Sequence, residues 1–368
     1  MSFSLTLFQT RLLNWFNNNQ RDLPWRTTYD PYQIWISEIM LQQTQMDRGV
    51  IYFQQWMKRF PDPTSILAAS EQELLKCWEG LGYYSRVKNI RKCAEILIEQ
   101  YDGKLPETPE ELEKLPGIGP YTAGAISSIA FNNNAPVVDG NVGRLFARVF
   151  NFDQQLKSPA VKKQLWLKAA EILPHGQARE FNQALMELGA LVCTPKNPIC
   201  LSCPVKQDCF AYRFDVVHTR PVKGKTSPII PISMATGVLV HRNRIFIQQR
   251  LDKDIWGGLW EFPGGSIERD ETPEETVIRE YMEETGFEVK LKDLITTTCH
   301  HYTRYKVTLH GYFCTLEKDI LSPTLTSAQD YRWIKPHELD HYAFPSGHRK
   351  LIHFLQENRL LPVHSMMI

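Results

Sequence analysis

The 368-residue chain has no apolar run approaching the roughly 20 residues that cross a bilayer. It also lacks the charged-then-apolar start of a secretion signal. Phe8, Leu12, Trp15 and Phe16 recur at helical spacing and Arg11 interrupts them, which reads as an amphipathic helix of the mature protein. Secretion and membrane insertion are therefore not expected. A reducing compartment, a bacterial cytoplasm, is expected, and there a disulfide framework among the eight cysteines is improbable. Charge of one sign is lacking too. Lys and Arg number 42, Asp and Glu 41, and the formal net charge is +1, so bulk charge carries no signature of nucleic acid. The balance conceals a split, with residues 1–225 at net +4 and residues 226–368 at net −3.

What is present is an ordinary globular composition, 43% hydrophobic and 23% charged, over a length that predicts two domains. Up to residue 212 apolar residues recur at three- and four-residue steps, as in 31–46, 84–101, 121–131 and 178–192, with Pro, Gly and Asn breaks between them. This predicts an all-α domain over 1–212. Residues 213–232, with prolines and basic residues and little periodicity, read as a linker. Residues 233–368 alternate β-rich runs (235–241, 244–249, 289–298, 305–315, 330–334) with helices near 272–285 and 346–358, an α+β domain.

Four features of the helical part carry chemistry. Leu115-Pro116-Gly117-Ile118-Gly119 precedes a helix starting near Tyr121. The two glycines allow a tight turn whose amides can meet a phosphate, the signature of a helix-hairpin-helix; a purely structural turn is the alternative. Cys193, Cys200, Cys203 and Cys209, spaced 6-2-5, can surround one metal ion or cluster. The uneven spacing differs from the paired knuckles of zinc sites. Asp139 lies between an apolar run and a new helix, where a carboxylate either caps the helix or does chemistry. Glu38 stands among Ile34, Ile39 and Leu41, so burial should raise its pKa and let it hold a proton near neutrality.

These motifs, with Asp22-Leu23-Pro24-Trp25-Arg26, Ser37 to Gln45 and Gly80-Leu81-Gly82-Tyr83-Tyr84, closely resemble the adenine DNA glycosylase (MutY) family of the endonuclease III superfamily. The resemblance implies a multidomain protein: an all-α helix-hairpin-helix glycosylase domain with a 4Fe-4S cluster on the four cysteines, then an α+β Nudix-like domain that recognises 8-oxoguanine. It implies a base excision repair enzyme that hydrolyses the N-glycosidic bond of adenine mispaired with 8-oxoguanine or guanine in double-stranded DNA. It further implies that Glu38 and Asp139 are catalytic and that Tyr121 and Asn141 orient them. Trp25, Arg26, Leu41 and Gln183 would contact the flipped adenine, with a plain core role open for Trp25 and Leu41. Tyr83 and Gln43 would wedge beside the orphan base, and Gly117 and Gly119 would meet the DNA backbone. A monomer associated with the nucleoid through DNA is expected. Lyase relatives carry a lysine where this chain has Tyr121, so a Schiff base is not expected and the glycosylase should be monofunctional.

The second domain holds a Nudix box running from Gly265 through Glu271, Arg279, Glu280, Glu283 and Glu284 to Gly286, with Tyr281 where an aliphatic residue is usual. Glu280, Glu283 and Glu284 sit at i, i+3 and i+4, so one helix face offers three carboxylates to a cation such as Mg2+. The family's box is usually degraded and this one is not. The domain therefore either serves lesion recognition alone or also hydrolyses a nucleoside diphosphate-linked substrate. The family's lesion-reading Phe-Ser-His is matched here by Tyr302-Thr303-Arg304, which keeps an aromatic and a hydroxyl but brings a permanent cation.

Overall fold

The computed structural model describes residues 3–224, 228–302 and 304–361. Along the chain the helices are α1 (Leu5–Asn19), α2 (Pro31–Leu41), α3 (Met46–Arg59), α4 (Pro63–Ala68), α5 (Glu71–Trp78), α6 (Ser85–Gln100), α7 (Pro109–Leu112), α8 (Pro120–Phe131), α9 (Gly140–Val149), α10 (Pro159–Ile172), α11 (Ala178–Leu191), α12 (Phe210–Arg213), α13 (Pro273–Thr285) and α14 (Ser346–Glu357). The strands are β1 (Ile230–His241), β2 (Arg244–Arg250), β3 (Trp260–Glu261), β4 (Gly264–Ser266), β5 (Val289–Tyr302), β6 (Tyr305–Leu316) and β7 (Ala328–Ile334). Among the described residues no helix is long and apolar enough to cross a membrane.

The chain divides into two compact units, and the division is not a single cut. One unit runs up to Ala68 and resumes at Lys88; the other joins Ala69–Val87 to the chain beyond the linker. The span 69–87 thus lies in the sequence of the helical domain but folds with the C-terminal unit. The linker region is also more ordered than its composition implies. Val217–Thr219 forms a short helical turn, Arg148 Nε donates to Arg220 O at 3.0 Å, and β1 already begins at Ile230. Lys225, Thr226 and Ser227 lie outside the described residues.

The first unit is helical because its apolar residues keep one-face spacing. Phe8, Leu12 and Phe16 of α1 join Leu145 and Phe146 of α9 and Phe181, Leu185 and Leu188 of α11 in one buried core. Each such side chain contributes about 1.5–3 kcal/mol on burial.

In the second unit β1 pairs with β6 in parallel, while β2, β4, β5 and β7 pair antiparallel, giving the order β3-β2-β1-β6-β5 with β4 on β1 and β7 on β2. Period-two alternation divides the two faces. Ile245 and Ile247 of β2 join Leu351, Ile352 and Leu355 of α14, and Phe246 between them joins Val277 and Tyr281 of α13. A helix therefore covers each face of the sheet.

Candidate functional site

Asp30 caps α2, its Oδ1 accepting from Gln33 N at 3.0 Å, and Pro31 opens the helix. Every residue from Tyr32 to Met40 except Gln33 is buried, so the helix has no fully solvated face on which Glu38 could stand. Glu38 is 7% exposed. Burial raises its carboxyl to about 7, the nearby charge of Asp139 adds to the rise, and the Tyr121 hydrogen bond and Arg26 oppose it. Tyr121, in the first turn of α8, donates its hydroxyl to Glu38 Oε2 at 2.7 Å and lies 3.6 Å from Met186 Sδ.

Asp139 is the N-cap of α9, so the capping role read from its sequence position is real. Its Oδ1 accepts from Val142 N at 2.7 Å and its Oδ2 from Asn141 Nδ2 at 2.9 Å. Burial pushes its pKa up, and these bonds and the Arg144 cation hold it down. Asn141 is fixed in turn: its Oδ1 accepts from Arg144 Nη2 at 2.8 Å, and Arg144 also donates to Gly189 O and Cys193 O, both at 2.7 Å. Gly189 is required where α11 crosses this point, because a Cβ there would sit 2.7 Å from Asn141 Cβ.

These groups line one cavity of about 540 Å³ in the first unit. Its wall contains Trp25, Arg26, Glu38, Leu41, Gln43, Tyr121, Asp139, Asn141 and Gln183, nine of the residues singled out from sequence. Trp25 is both core and cavity wall: it is buried, stands edge-on to Phe53 with centroids 5.0 Å apart, and faces the cavity. Gln43, expected beside the orphan base, lies in this wall with a left-handed φ of 60°. Sequence reasoning missed Arg21, Arg144 and Glu187. Glu187 Oε1 and Oε2 accept from Arg21 Nε and Nη2 at 2.9 and 2.8 Å, and Arg26 Nη2 donates to Oε2 at 3.1 Å. Burial alone would raise the Glu187 pKa, but the two guanidiniums override it and hold the carboxyl down at about 2. Arg26 also donates through Nε to Gln183 Oε1 at 2.9 Å, which fixes two cavity residues together.

The hairpin forms as its glycines require. Gly117 takes a φ of 80°, Gly119 caps α8, and both are exposed; neither lines the cavity. Cys193, Cys200, Cys203 and Cys209 line one small apolar pocket, and Arg148 Nη1 donates to Cys193 Sγ at 3.2 Å. Among the described residues no three or more Cys, His, Asp or Glu side chains are gathered as the ligand set of a metal ion.

In the second unit Tyr83 and Tyr302 meet with ring centroids 6.2 Å apart, and Trp256 stands edge-on to Tyr302 at 5.5 Å. Tyr302 closes the β5–β6 pairing opposite Tyr305; Thr303, between them, lies outside the described residues. Three of the Nudix carboxylates gather on the Arg279 guanidinium. Arg279 binds Glu271 through Nε at 2.7 Å and Nη2 at 3.0 Å, and its Nη1 reaches Glu280 and Glu283 at 3.0 and 3.1 Å. Glu284 turns inward, accepting from Gln248 Nε2, Gly264 N and Ser327 Oγ at 2.9, 3.2 and 2.8 Å.

Both parts of the chain are similar to known proteins. Residues 36–171 match the family described as "HhH-GPD superfamily base excision DNA repair protein", and residues 235–354 match "NUDIX domain". The chain is 32% identical to an adenine DNA glycosylase of Mus musculus, over 96% of this chain and 79% of the relative. It is 37% identical to an adenine DNA glycosylase of Buchnera aphidicola subsp. Schizaphis graminum, over 71% of this chain and 75% of the relative. The solved structure of a thermostable thymine-DNA glycosylase aligns with a TM-score of 0.52 at 29% identity, covering 57% of this chain and 97% of that one.

Proposed function

This chain belongs to the adenine DNA glycosylase family, enzymes of base excision repair that act on DNA, and from that premise we propose that it hydrolyses the N-glycosidic bond of adenine paired with 8-oxoguanine or guanine, through Glu38 and Asp139. The observation that carries the reading is the Glu38 carboxyl, poised near neutrality inside a cavity that also holds Asp139.

Adenine leaves poorly as an anion, so the reaction needs a proton on the ring and negative charge near the sugar. A carboxyl with a pKa of about 7 is half protonated at neutral pH and is matched to donating that proton, here to adenine N7. Asp139, ionised and held by the Val142 amide and Asn141, stabilises the oxocarbenium-like sugar. The chemistry asks opposite protonation states of the two carboxyls. The target adenine must leave the stack to reach them, and a cavity of about 540 Å³ walled by Trp25, Arg26, Leu41 and Gln183 suits a flipped purine. Tyr83 and Tyr302 would address the orphan base, and exposed amides of the Gly117–Gly119 turn would meet a phosphate. Tyr121 supplies no amine, which supports hydrolysis without strand cleavage.

The apolar pocket shared by Cys193, Cys200, Cys203 and Cys209, with the Arg148 guanidinium against one sulfur, suits an anionic thiolate-bound group, and these four residues would hold the 4Fe-4S cluster. When bound, the cluster cross-links the loop to which Arg144 and Arg148 are tied. In the Nudix-like domain the Arg279 ion pairs and the inward Glu284 favour lesion recognition over Mg2+-dependent hydrolysis.

Single-turnover release of adenine from duplexes with adenine opposite 8-oxoguanine, guanine or cytosine tests the reading. Release from the first two and not the third is expected, together with loss of release in Glu38→Gln. Equal release from all three duplexes, or a Glu38→Gln rate matching the native one, overturns it.

A further inference from the structure

The turn that carries Tyr83 is strained and heavily braced. Gly80, Gly82 and Tyr83 have φ values of 94°, 69° and 48°. For a tyrosine this left-handed conformation is strained and persists only when its surroundings impose it. Part of the bracing is local. Trp78 Nε1 donates to Gly82 O at 3.1 Å, and Arg86 Nη2 donates to Leu81 O and Gly82 O at 2.9 and 3.1 Å. The Arg86 guanidinium also lies over the rings of Trp78 and Tyr83, at 5.2 and 5.6 Å.

Further bracing comes from Phe344 and Arg349, 265 and 270 positions along the chain from Glu79. Glu79, the residue immediately before the turn, accepts from Arg349 Nε and from Phe344 N through Oε1, both at 2.8 Å, and from Lys76 Nζ through Oε2 at 2.6 Å. Arg349 is anchored on its own side by Tyr342 O and Asp340 Oδ1 at 2.7 and 2.9 Å. Glu79 and Arg349 side chains are only 13% and 12% exposed, so this pair is shielded from solvent screening that weakens surface pairs. One and two turns earlier on α5, Lys76 Nζ donates to Tyr342 O at 3.2 Å and Gln72 Oε1 accepts from Trp260 Nε1 at 2.8 Å.

We propose that Glu79 is a positioning residue for Tyr83: the Arg349 and Phe344 bonds to its carboxylate fix the Gly80–Tyr83 turn, and so set the preference for adenine opposite 8-oxoguanine over adenine opposite guanine. The proposal rests on the reading of Tyr83 and Tyr302 as the residues that address the orphan base. The physical basis is rigidity. Tyr302 stands on the same unit as Arg349, so anchoring Glu79 makes the two tyrosines one body and removes the freedom that Tyr83 would lose on binding.

The test uses the full chain and the variants Glu79→Ala, Arg349→Ala, their double, and Glu79→Gln. Two readouts are measured beside the melting temperature. One is the ratio of single-turnover rates on the 8-oxoguanine and guanine duplexes. The other is the fluorescence of 2-aminopurine placed next to the orphan base, which rises when a wedge breaks its stacking. Each alanine variant is expected to lower the ratio about tenfold and to diminish the fluorescence rise, with the double no worse than either single. Glu79→Gln keeps an acceptor for the Phe344 amide and should keep most of both signals, so it decides the matter if an alanine variant fails to fold. A fall in melting temperature with an unchanged ratio and an unchanged fluorescence rise overturns the proposal, as does a Glu79→Gln variant no better than Glu79→Ala. Tyr302→Ala, run in parallel, separates the two ideas. If it leaves the ratio intact, the lesion-reading role of Tyr302 falls, and the fluorescence still decides the role of Glu79.

Discussion

The Tyr121 hydroxyl donates to Glu38 Oε2 across 2.7 Å, a bond that opposes the rise burial imposes on the carboxyl of the proposed proton donor. A hydrogen bond to the ionised carboxylate stabilises it and restrains the rise that burial imposes. Tyr121→Phe should therefore move the alkaline limb of adenine release upward by roughly one to two pH units. Single-turnover rates between pH 5 and 9 measure this, and a downward shift refutes it. Borohydride should trap no covalent complex with the native enzyme on abasic DNA.

Glu38 also makes a stability prediction whose sign can be worked out. Its carboxyl titrates at about 7 in the folded chain, above its ordinary value. Below both values it is protonated in either state and imposes no cost. As pH rises toward 7 the unfolded chain releases its proton first, so the folded state loses stability, in total about 3 kcal/mol. Glu38→Gln removes this penalty. Thermal melts should find the variant more stable than the native protein at pH 8 and nearly equal to it at pH 4, while adenine release is lost.

Asp139→Asn separates cap from charge. Asparagine caps a helix as well as aspartate does, so the Val142 amide keeps an acceptor and the melting temperature should change little. The sugar loses its negative partner, and release should fall about 1000-fold or more with duplex binding preserved. A variant that is both unfolded and inactive would leave the cap as the only role in evidence.

Glu187→Leu strands two guanidiniums against the cavity wall. Breaking such a shielded cluster costs about 3–5 kcal/mol. Because the Glu187 carboxyl is held down at about 2, its contribution is present above its ordinary pKa and is lost as pH falls toward 2. Urea melts should show the native-to-variant gap at pH 7 shrinking below pH 4.

The full chain with Mg2+ should release no product from normal or oxidised nucleoside triphosphates, because a cation would compete with Arg279 for Glu280 and Glu283 and with Gln248 and Ser327 for Glu284. Sustained turnover lost in Glu283→Ala would establish the second activity.

Much of the site was legible in the sequence because the deciding signals are local. The apolar density around Glu38 forecast its burial, and the break before Asn141 placed Asp139 at a helix start. Most helices and the longer strands follow the periodicity that predicts them. The Arg21–Glu187 pair, 166 residues apart, leaves no such trace, since either charge alone reads as a solvated surface. β3 and β4 span two and three residues, too few for alternation to register. The amphipathic spacing of α5 is that of a helix but carries nothing about which unit the helix would join.

That last point bears on how the chain is made. Synthesis proceeds from the amino terminus at about 5–20 residues per second. Gln72, Lys76 and Glu79 therefore emerge tens of seconds before Trp260, Tyr342 and Arg349, with which they bond in the finished unit. During that interval the polar side chains of α5 lack these partners. α14, made late, supplies the Arg349 guanidinium that closes the end of α5, made early.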